Sequence, residues 1–279
     1  MQQRILIADS GSTKTDWLIL ETGHAPVALK TQGLNPFVMN AADITQVVKT
    51  AFADNTAFTE VHFYGAGCRG EQVAVVADAL AQALLLKGDA NVSSDMLGAA
   101  RAASGAEDAV VCILGTGSNS CLYEGGEITA NVSPLGFILG DEGSGAVLGR
   151  RLLGDVFKHQ LPEETVAAFN EAYGLTSDEA VRRVYKEPLP NRFLASFVPF
   201  LASHQTEPAV KALLKDEFSR FVRRNLLAYG RTDLPVCFVG GVAYAFQMLL
   251  PEVLDGFGLK MGRVVKAPMD GLAEFHALK

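Results

Sequence analysis

At 279 residues, 49% hydrophobic and 20% charged, the chain is long and apolar enough to bury a sizeable core, which excludes a disordered polymer and predicts two domains of about 100–170 residues. A net charge of −7 argues against nucleic acid or an anionic membrane as the main partner, so any phosphate must be held locally. No apolar run approaches the roughly 20 residues that span a bilayer, and Met1-Gln2-Gln3-Arg4 leads straight into a strand, so a cytoplasmic protein with no membrane partner is expected.

The first predicted strands cover 4–9, 15–21 and about 26–33. Between the first two lies Asp9-Ser10-Gly11-Ser12-Thr13-Lys14-Thr15-Asp16. It reads as a hairpin tip of small hydroxylated residues, where backbone N–H groups, hydroxyls and the Lys14 ammonium can converge on an anion. Asp9, at the end of the first strand, could hold a divalent ion against that anion. The second glycine of a Walker A loop is absent, and a polar turn without a ligand is the plain alternative.

After Asn35-Pro36-Phe37, a helix is predicted over about 41–54, then a short buried strand at Val61–Tyr64. Gly65-Ala66-Gly67-Cys68-Arg69-Gly70 follows and opens a helix over about 71–87. Its spacing is that of a dinucleotide fingerprint, but three strands precede this one, so a glycine-rich loop lining a substrate cleft fits better. Another strand at 91–94 delivers Asp95 to the start of a small-residue helix, where the carboxylate is either chemical or a plain helix cap.

A second buried strand at 110–114 runs into Gly115-Thr116-Gly117-Ser118-Asn119-Ser120 and out again through Cys121-Leu122-Tyr123. This repeats the construction of the first loop and suggests an internal duplication. Residues 127–140 read as extended, ending in Gly140-Asp141-Glu142-Gly143-Ser144-Gly145 before a helix over about 146–158. The paired acids can cap that helix or accept from a ligand rich in hydroxyls.

Residues 162–230 read as helical, broken near Pro188–Pro190 and Glu207-Pro208, with Lys211, Lys215, Arg220, Arg223 and Arg224 as a solvated face. A last buried strand at 236–239 meets Gly240-Gly241, where a flat purine could press on backbone, and a strand at 261–266 and a short helix close the chain. Cys68, Cys112, Cys121 and Cys237 lie far apart without C-x-x-C spacing and read as reduced core thiols; the histidines show no zinc-ligand spacing.

The order strand-Asp9-loop-Thr13-Lys14, helix-opening Asp95, strand-Gly115-Thr116-Gly117-Ser118 and strand-Gly240-Gly241 resembles the motifs of the sugar-kinase, actin and heat-shock-chaperone ATPase superfamily. Gly115–Asn119 together with Gly140–Ser144 is similar to the N-acetylglucosamine kinases and to the activator ATPases of benzoyl-CoA reductase. The resemblance covers essentially the whole chain. It implies an α/β fold of two ribonuclease-H-like (actin-like ATPase) domains, 1–107 and 108–269 with a helical insertion, flanking a nucleotide and sugar cleft, with 270–279 packing back on the first domain.

The same resemblance implies roles. Asp95 corresponds to the catalytic base, Asp9 to the acid that organises Mg2+, and Ser10, Gly11, Ser12, Thr13 and Lys14 to the loop around the transferred phosphate of ATP. Gly115, Thr116, Gly117 and Ser118 would cradle the nucleotide phosphates, and Gly240 and Gly241 the adenosine. Asn35, Gly65, Ala66, Gly67, Asp95, Thr116 and Asp141 would face the sugar, with Phe37 where the family often carries an aromatic. The implied activity is ATP-dependent phosphorylation of N-acetylglucosamine at the 6-hydroxyl; a homodimer through the helical block is a separate expectation. N-acetylmuramic acid or glucosamine is the alternative sugar, Arg69 being a cation that could meet a lactyl carboxylate. An activator or regulatory ATPase is the alternative of another class, and its closely placed cluster-bridging cysteines have no counterpart here.

Overall fold

A computed structural model describes residues 3–11, 13–52 and 57–277, so Ser12 and the end of the first predicted helix, 53–54, lie outside the described residues. The chain divides into two compact units, Met1–Glu107 with Ala267–Lys279, and Asp108–Lys266.

The first unit comprises β1 (Arg4–Ser10), β2 (Lys14–Glu21), β3 (Val27–Gln32), α1 (Ala41–Ala51), β4 (Glu60–Gly65), α2 (Gln72–Ala83), β5 (Ala90–Ser94) and α3 (Asp95–Ser104). The second runs through β6 (Ala109–Leu114), β7 (Ser118–Glu124), β8 (Glu127–Val132), α4 (Gly136–Leu139), α5 (Gly145–Phe157), α6 (Glu163–Tyr173) and α7 (Ser177–Lys186). It continues with α8 (Pro190–Ala195), α9 (Val198–Ser203), α10 (Pro208–Phe221), β9 (Pro235–Val239), α11 (Gly241–Ala245), α12 (Leu250–Asp255) and β10 (Lys260–Val265). The last helix, α13 (Met269–Phe275), returns to the first unit.

One topology is traced twice. The sheet orders are β3-β2-β1-β4-β5 and, read from its hairpin end, β8-β7-β6-β9-β10. In each, a three-stranded antiparallel meander is extended by two parallel strands. The central strands β1 and β6 are apolar runs buried nearly throughout, as a strand covered on both faces requires. The edge strand β3 is largely exposed and carries Lys30, a charge that discourages edge-to-edge pairing.

Small residues let α3 lie close to the sheet. A side chain at Gly98 would place its Cβ only 2.7 Å from the Tyr64 Cβ. Arg101 of α3 donates to the Tyr64 hydroxyl at 2.9 Å, and that hydroxyl shares a 2.8 Å hydrogen bond with His276, whose ring stacks on His62 at 3.8 Å. The stretch after α13 is thereby tied to β4 and α3.

Four expectations need correction. The extended reading of 127–140 holds only to Val132: Leu135 takes a left-handed φ of 61° and Gly136–Leu139 is helical, because a short apolar run does not declare its period. The helix predicted over 71–87 ends at Ala83; Leu84 is extended, and the Lys87 N–H donates to the Phe58 carbonyl. The loop predicted over 115–120 is shorter, since Ser118 already pairs with Leu114. The cations of the helical block are not merely solvated: Lys211 and Lys215 flank Glu252, Arg220 meets Glu217, Arg224 meets Glu142 and Arg223 lies over Phe257. Among the described residues, no helix is long and apolar enough to cross a membrane.

Candidate functional site

Parallel pairing gathers the chemistry of the first unit at one sheet edge. Asp9 lies opposite Tyr64, Ser10 opposite Gly65, and Gly65 opposite Ser94, so β1, β4 and β5 finish together and release the Asp9–Lys14 loop, the Gly65–Gly67 loop and Asp95 side by side. The carboxyl ends of parallel strands are where open α/β sheets bind ligands.

Asp95 is not the helix cap. Ser94 caps α3, its side chain accepting from the Leu97 N–H at 3.2 Å, while the Asp95 carboxylate accepts from its neighbour Met96 at 2.9 Å. Burial raises the Asp95 carboxyl above the ordinary range, and the Met96 N–H and the Arg69 charge pull in the other direction. Asp9 is pushed up to about 7, chiefly by burial and then by the charges of Asp95 and Asp16, with Lys14 opposing. Lys14 itself reaches Asp16 at 2.6 Å.

Within the first loop, Gly11, Thr13 and Lys14 are exposed. Ser10 differs: its buried hydroxyl shares a hydrogen bond with Thr15 at 2.8 Å and accepts from the Leu34 N–H at 3.0 Å. It therefore braces the hairpin against the chain leading to Asn35. Asn35 forms a turn in which its side-chain oxygen accepts from the Phe37 N–H at 2.9 Å. Gly67 packs against this turn, where any Cβ would stand 2.6 Å from Asn35 Oδ1. The structure thus brings Asn35, Phe37 and Gly67 together, with the Arg69 guanidinium 5.5 Å from the Phe37 ring centre.

The second unit repeats the arrangement. The Gly115 N–H donates to the Gly117 carbonyl, and Gly115 and Thr116 carbonyls receive the first N–H groups of α5, from Gly145 and Ala146. Gly240, with φ 124°, lies against the Leu114 carbonyl, where a Cβ would approach to 2.3 Å; only glycine allows the two strand ends to meet so closely. Asp141 has a left-handed φ of 51° and lies beside Gly117, and the Ser118 N–H donates to its carboxylate. Burial and the neighbouring Glu142 raise Asp141 to about 6, against that hydrogen bond. Neither acid caps α5, a task done by Ser144, which accepts from the Val147 N–H at 3.2 Å.

Sequence reasoning missed the residues that hold this turn: Glu217 accepts from the Gly143 N–H at 3.1 Å, and Asn225 reaches Glu142 at 3.4 Å. The signal was present, because Glu217 interrupts the buried stripe Val210, Leu213, Leu214, Phe218 and Phe221 of α10.

A family model for the BadF/BadG/BcrA/BcrD ATPases matches residues 8–256. The chain belongs to that ATPase family. A protein from Porphyromonas gingivalis described as a candidate N-acetylglucosamine kinase is 45% identical to this chain, with 98% of each chain covered and a TM-score of 0.89. A second such protein, from Chromobacterium violaceum, shares the fold at 20% identity, 98% coverage of each chain and a TM-score of 0.72. A ROK family glucokinase from Streptomyces griseus, solved with glucose and AMPPNP, shares it at 14% identity, 98% and 97% coverage and a TM-score of 0.55. The fold of the chain is therefore the two-unit, actin-like fold of sugar kinases. No curated protein matches the chain.

Proposed function

We propose that this ATPase is a carbohydrate kinase that transfers the γ-phosphoryl group of ATP to the 6-hydroxyl of N-acetylglucosamine in the cytoplasm. The observation that carries the reading is Asp95, a half-buried carboxylate delivered by β5 to the strand edge beside Asp9 in a chain 45% identical to a candidate N-acetylglucosamine kinase. Phosphoryl transfer asks mainly for positioning and charge neutralisation, with one carboxylate to take the proton of the attacking hydroxyl. A base whose pKa burial has raised towards working pH holds that proton better than an ordinary aspartate does.

The other roles follow the strand ends. Thr13, Lys14 and the Gly115–Ser118 turn meet the phosphates, Gly240 and Gly241 the adenosine, and Asn35, Gly65–Gly67 and Asp141 the sugar. Asp9 would hold Mg2+. The residues fit that ion: burial, and then the charges of Asp95 and Asp16, raise Asp9 to about 7, so a cation beside it would relieve both. Mg2+ commonly takes one or two carboxylates, phosphate oxygens and water rather than a full protein cage, and among the described residues no such cage is formed. When bound, the ion supplies neutralisation of phosphate charge.

Arg69, exposed beside the Asn35 turn, favours N-acetylmuramic acid over glucosamine as the alternative substrate, since its lactyl carboxylate would meet a cation. An activator role is disfavoured by Cys68, Cys112, Cys121 and Cys237, all buried. Val181, Tyr185 and Leu189 leave an apolar stripe exposed on and after α7, which supports a homodimer through the helical block. The reading is tested by identifying the product of a reaction with Mg·ATP and N-acetylglucosamine by phosphorus NMR. A 6-phosphate is expected; phosphate on another hydroxyl, or inorganic phosphate alone, would refute it.

A further inference from the structure

The side chain of Glu217 has no exposed surface, although it sits in the middle of α10 among apolar residues. A carboxylate is retained in such a place only when every oxygen is partnered. Oε1 accepts from the Gly143 backbone N–H at 3.1 Å. Oε2 is shared by Arg151 at 2.9 Å and Arg220 at 3.3 Å, and Arg151 is held in turn by Asp216 at 2.6 Å.

What Glu217 grips is the turn that presents Asp141. Asp141 and Gly143 both take left-handed backbone, φ 51° and 74°, and an aspartate in that region persists only where its surroundings over-determine it. From before the turn, the Asp141 N–H donates to the Pro134 carbonyl at 2.8 Å. From after it, the helix of α10 widens into a π turn over Val222–Leu226, and Arg224 and Asn225 of that turn both reach Glu142. The two residues following Asp141 are thus each clamped from α10 or its π turn.

We propose that Glu217 is a positioning residue for substrate binding: by fixing the Gly143 N–H it sets the turn that holds the Asp141 carboxylate beside Gly117 and Ser118. The proposal rests on the reading of Asp141 as a sugar-hydroxyl acceptor. Both Glu217 oxygens accept, so in Glu217→Gln either Gly143 or the arginines lose their acceptor to an NH2 group. Glu217→Asp keeps the charge that the arginines need, which protects folding, and withdraws the carboxylate from Gly143 by one methylene.

The experiment measures KM for N-acetylglucosamine and for ATP in the wild type, E217D, E217Q, D141N and the double variant E217D/D141N. The expected result is a rise of roughly ten- to hundredfold in sugar KM for E217D and E217Q, the scale of a small misplacement in a site. ATP KM is expected to stay within about twofold, and the double variant to be no worse than D141N, because residues acting through one another are not additive. An unchanged sugar KM in E217D, an equal rise in both KM values, or full additivity with D141N would each overturn the positioning role while leaving Asp141 as the acceptor. An ordinary sugar KM in D141N would overturn the assignment of Asp141 and, with it, this proposal.

Discussion

The charge of Asp95 is felt at Asp9, where it joins burial, the larger cause, in raising the carboxyl to about 7. Two acids at the ends of β1 and β5, the strands on either side of β4, with one hindering the ionisation of the other, form a place that welcomes a cation and can hold a proton. That relationship gives the first two expectations.

Asp95→Asn keeps the shape of the strand-to-helix junction and its cap at Ser94 but removes the base. Turnover with N-acetylglucosamine is expected to fall by about 10²–10⁴, while ATP affinity stays near the wild type. Steady-state kinetics with calorimetric nucleotide binding checks this, and a loss of nucleotide affinity as large as the loss of turnover would refute the role.

Asp9 carries a stability cost with a definite sign. Its folded pKa of about 7 lies above the ordinary 3.8, so the fold favours the neutral acid. That advantage is complete below about pH 4 and is lost as pH rises through about 7. At about 1.4 kcal/mol per pKa unit, the ionised form costs the fold up to about 4 kcal/mol. Asp9→Asn is therefore expected to raise the thermal midpoint at pH 8 and to leave it unchanged at pH 4, in melts without nucleotide. Equal midpoints at both pH values would contradict the assignment.

His276 titrates in the opposite sense. Burial, then the charges of His62 and Arg101, lower it to about 4. The neutral ring pairs with Tyr64 at 2.8 Å, so its stabilisation is present above about pH 6.5 and lost as pH falls through about 4. Because the ring is partly open to solvent, about 1–2 kcal/mol is expected rather than the full shift. His276→Gln should flatten the acid limb of the pH–stability curve, and an unchanged limb would show that the hydrogen bond contributes little.

Gly98→Ala tests how closely α3 must approach β4. The new Cβ would stand 2.7 Å from the Tyr64 Cβ, so the helix carrying Asp95 has to shift. A loss of roughly 1–3 kcal/mol in stability is expected, with a fall in turnover exceeding any change in ATP KM. Denaturant unfolding and kinetics on the same preparation would show it.

Much of this architecture was legible because local pattern and tertiary role agree. The apolar run Ile5–Ala8 before Asp9 and the run Val110–Leu114 before Gly115 announced two central strands, and their matching loops announced the duplication seen in the sheet orders. Asp95 was legible for the same reason, since a strand and a small-residue helix fixed its place. The α4 turn was not, because Leu135–Leu139 is too short to show a period and its direction is set by the left-handed Leu135. Nor was the hold on Asp141: Glu217 stands 74 residues from Gly143, and no local rule links a buried acid in one helix to a backbone N–H in a distant loop.

The most direct measurement is ADP release from Mg·ATP with N-acetylglucosamine, N-acetylmuramic acid, glucosamine and glucose offered in parallel. A large acceleration with N-acetylglucosamine is expected, abolished by Asp95→Asn. Slow release that no sugar accelerates would contradict the kinase assignment and point instead to an ATPase that drives a partner.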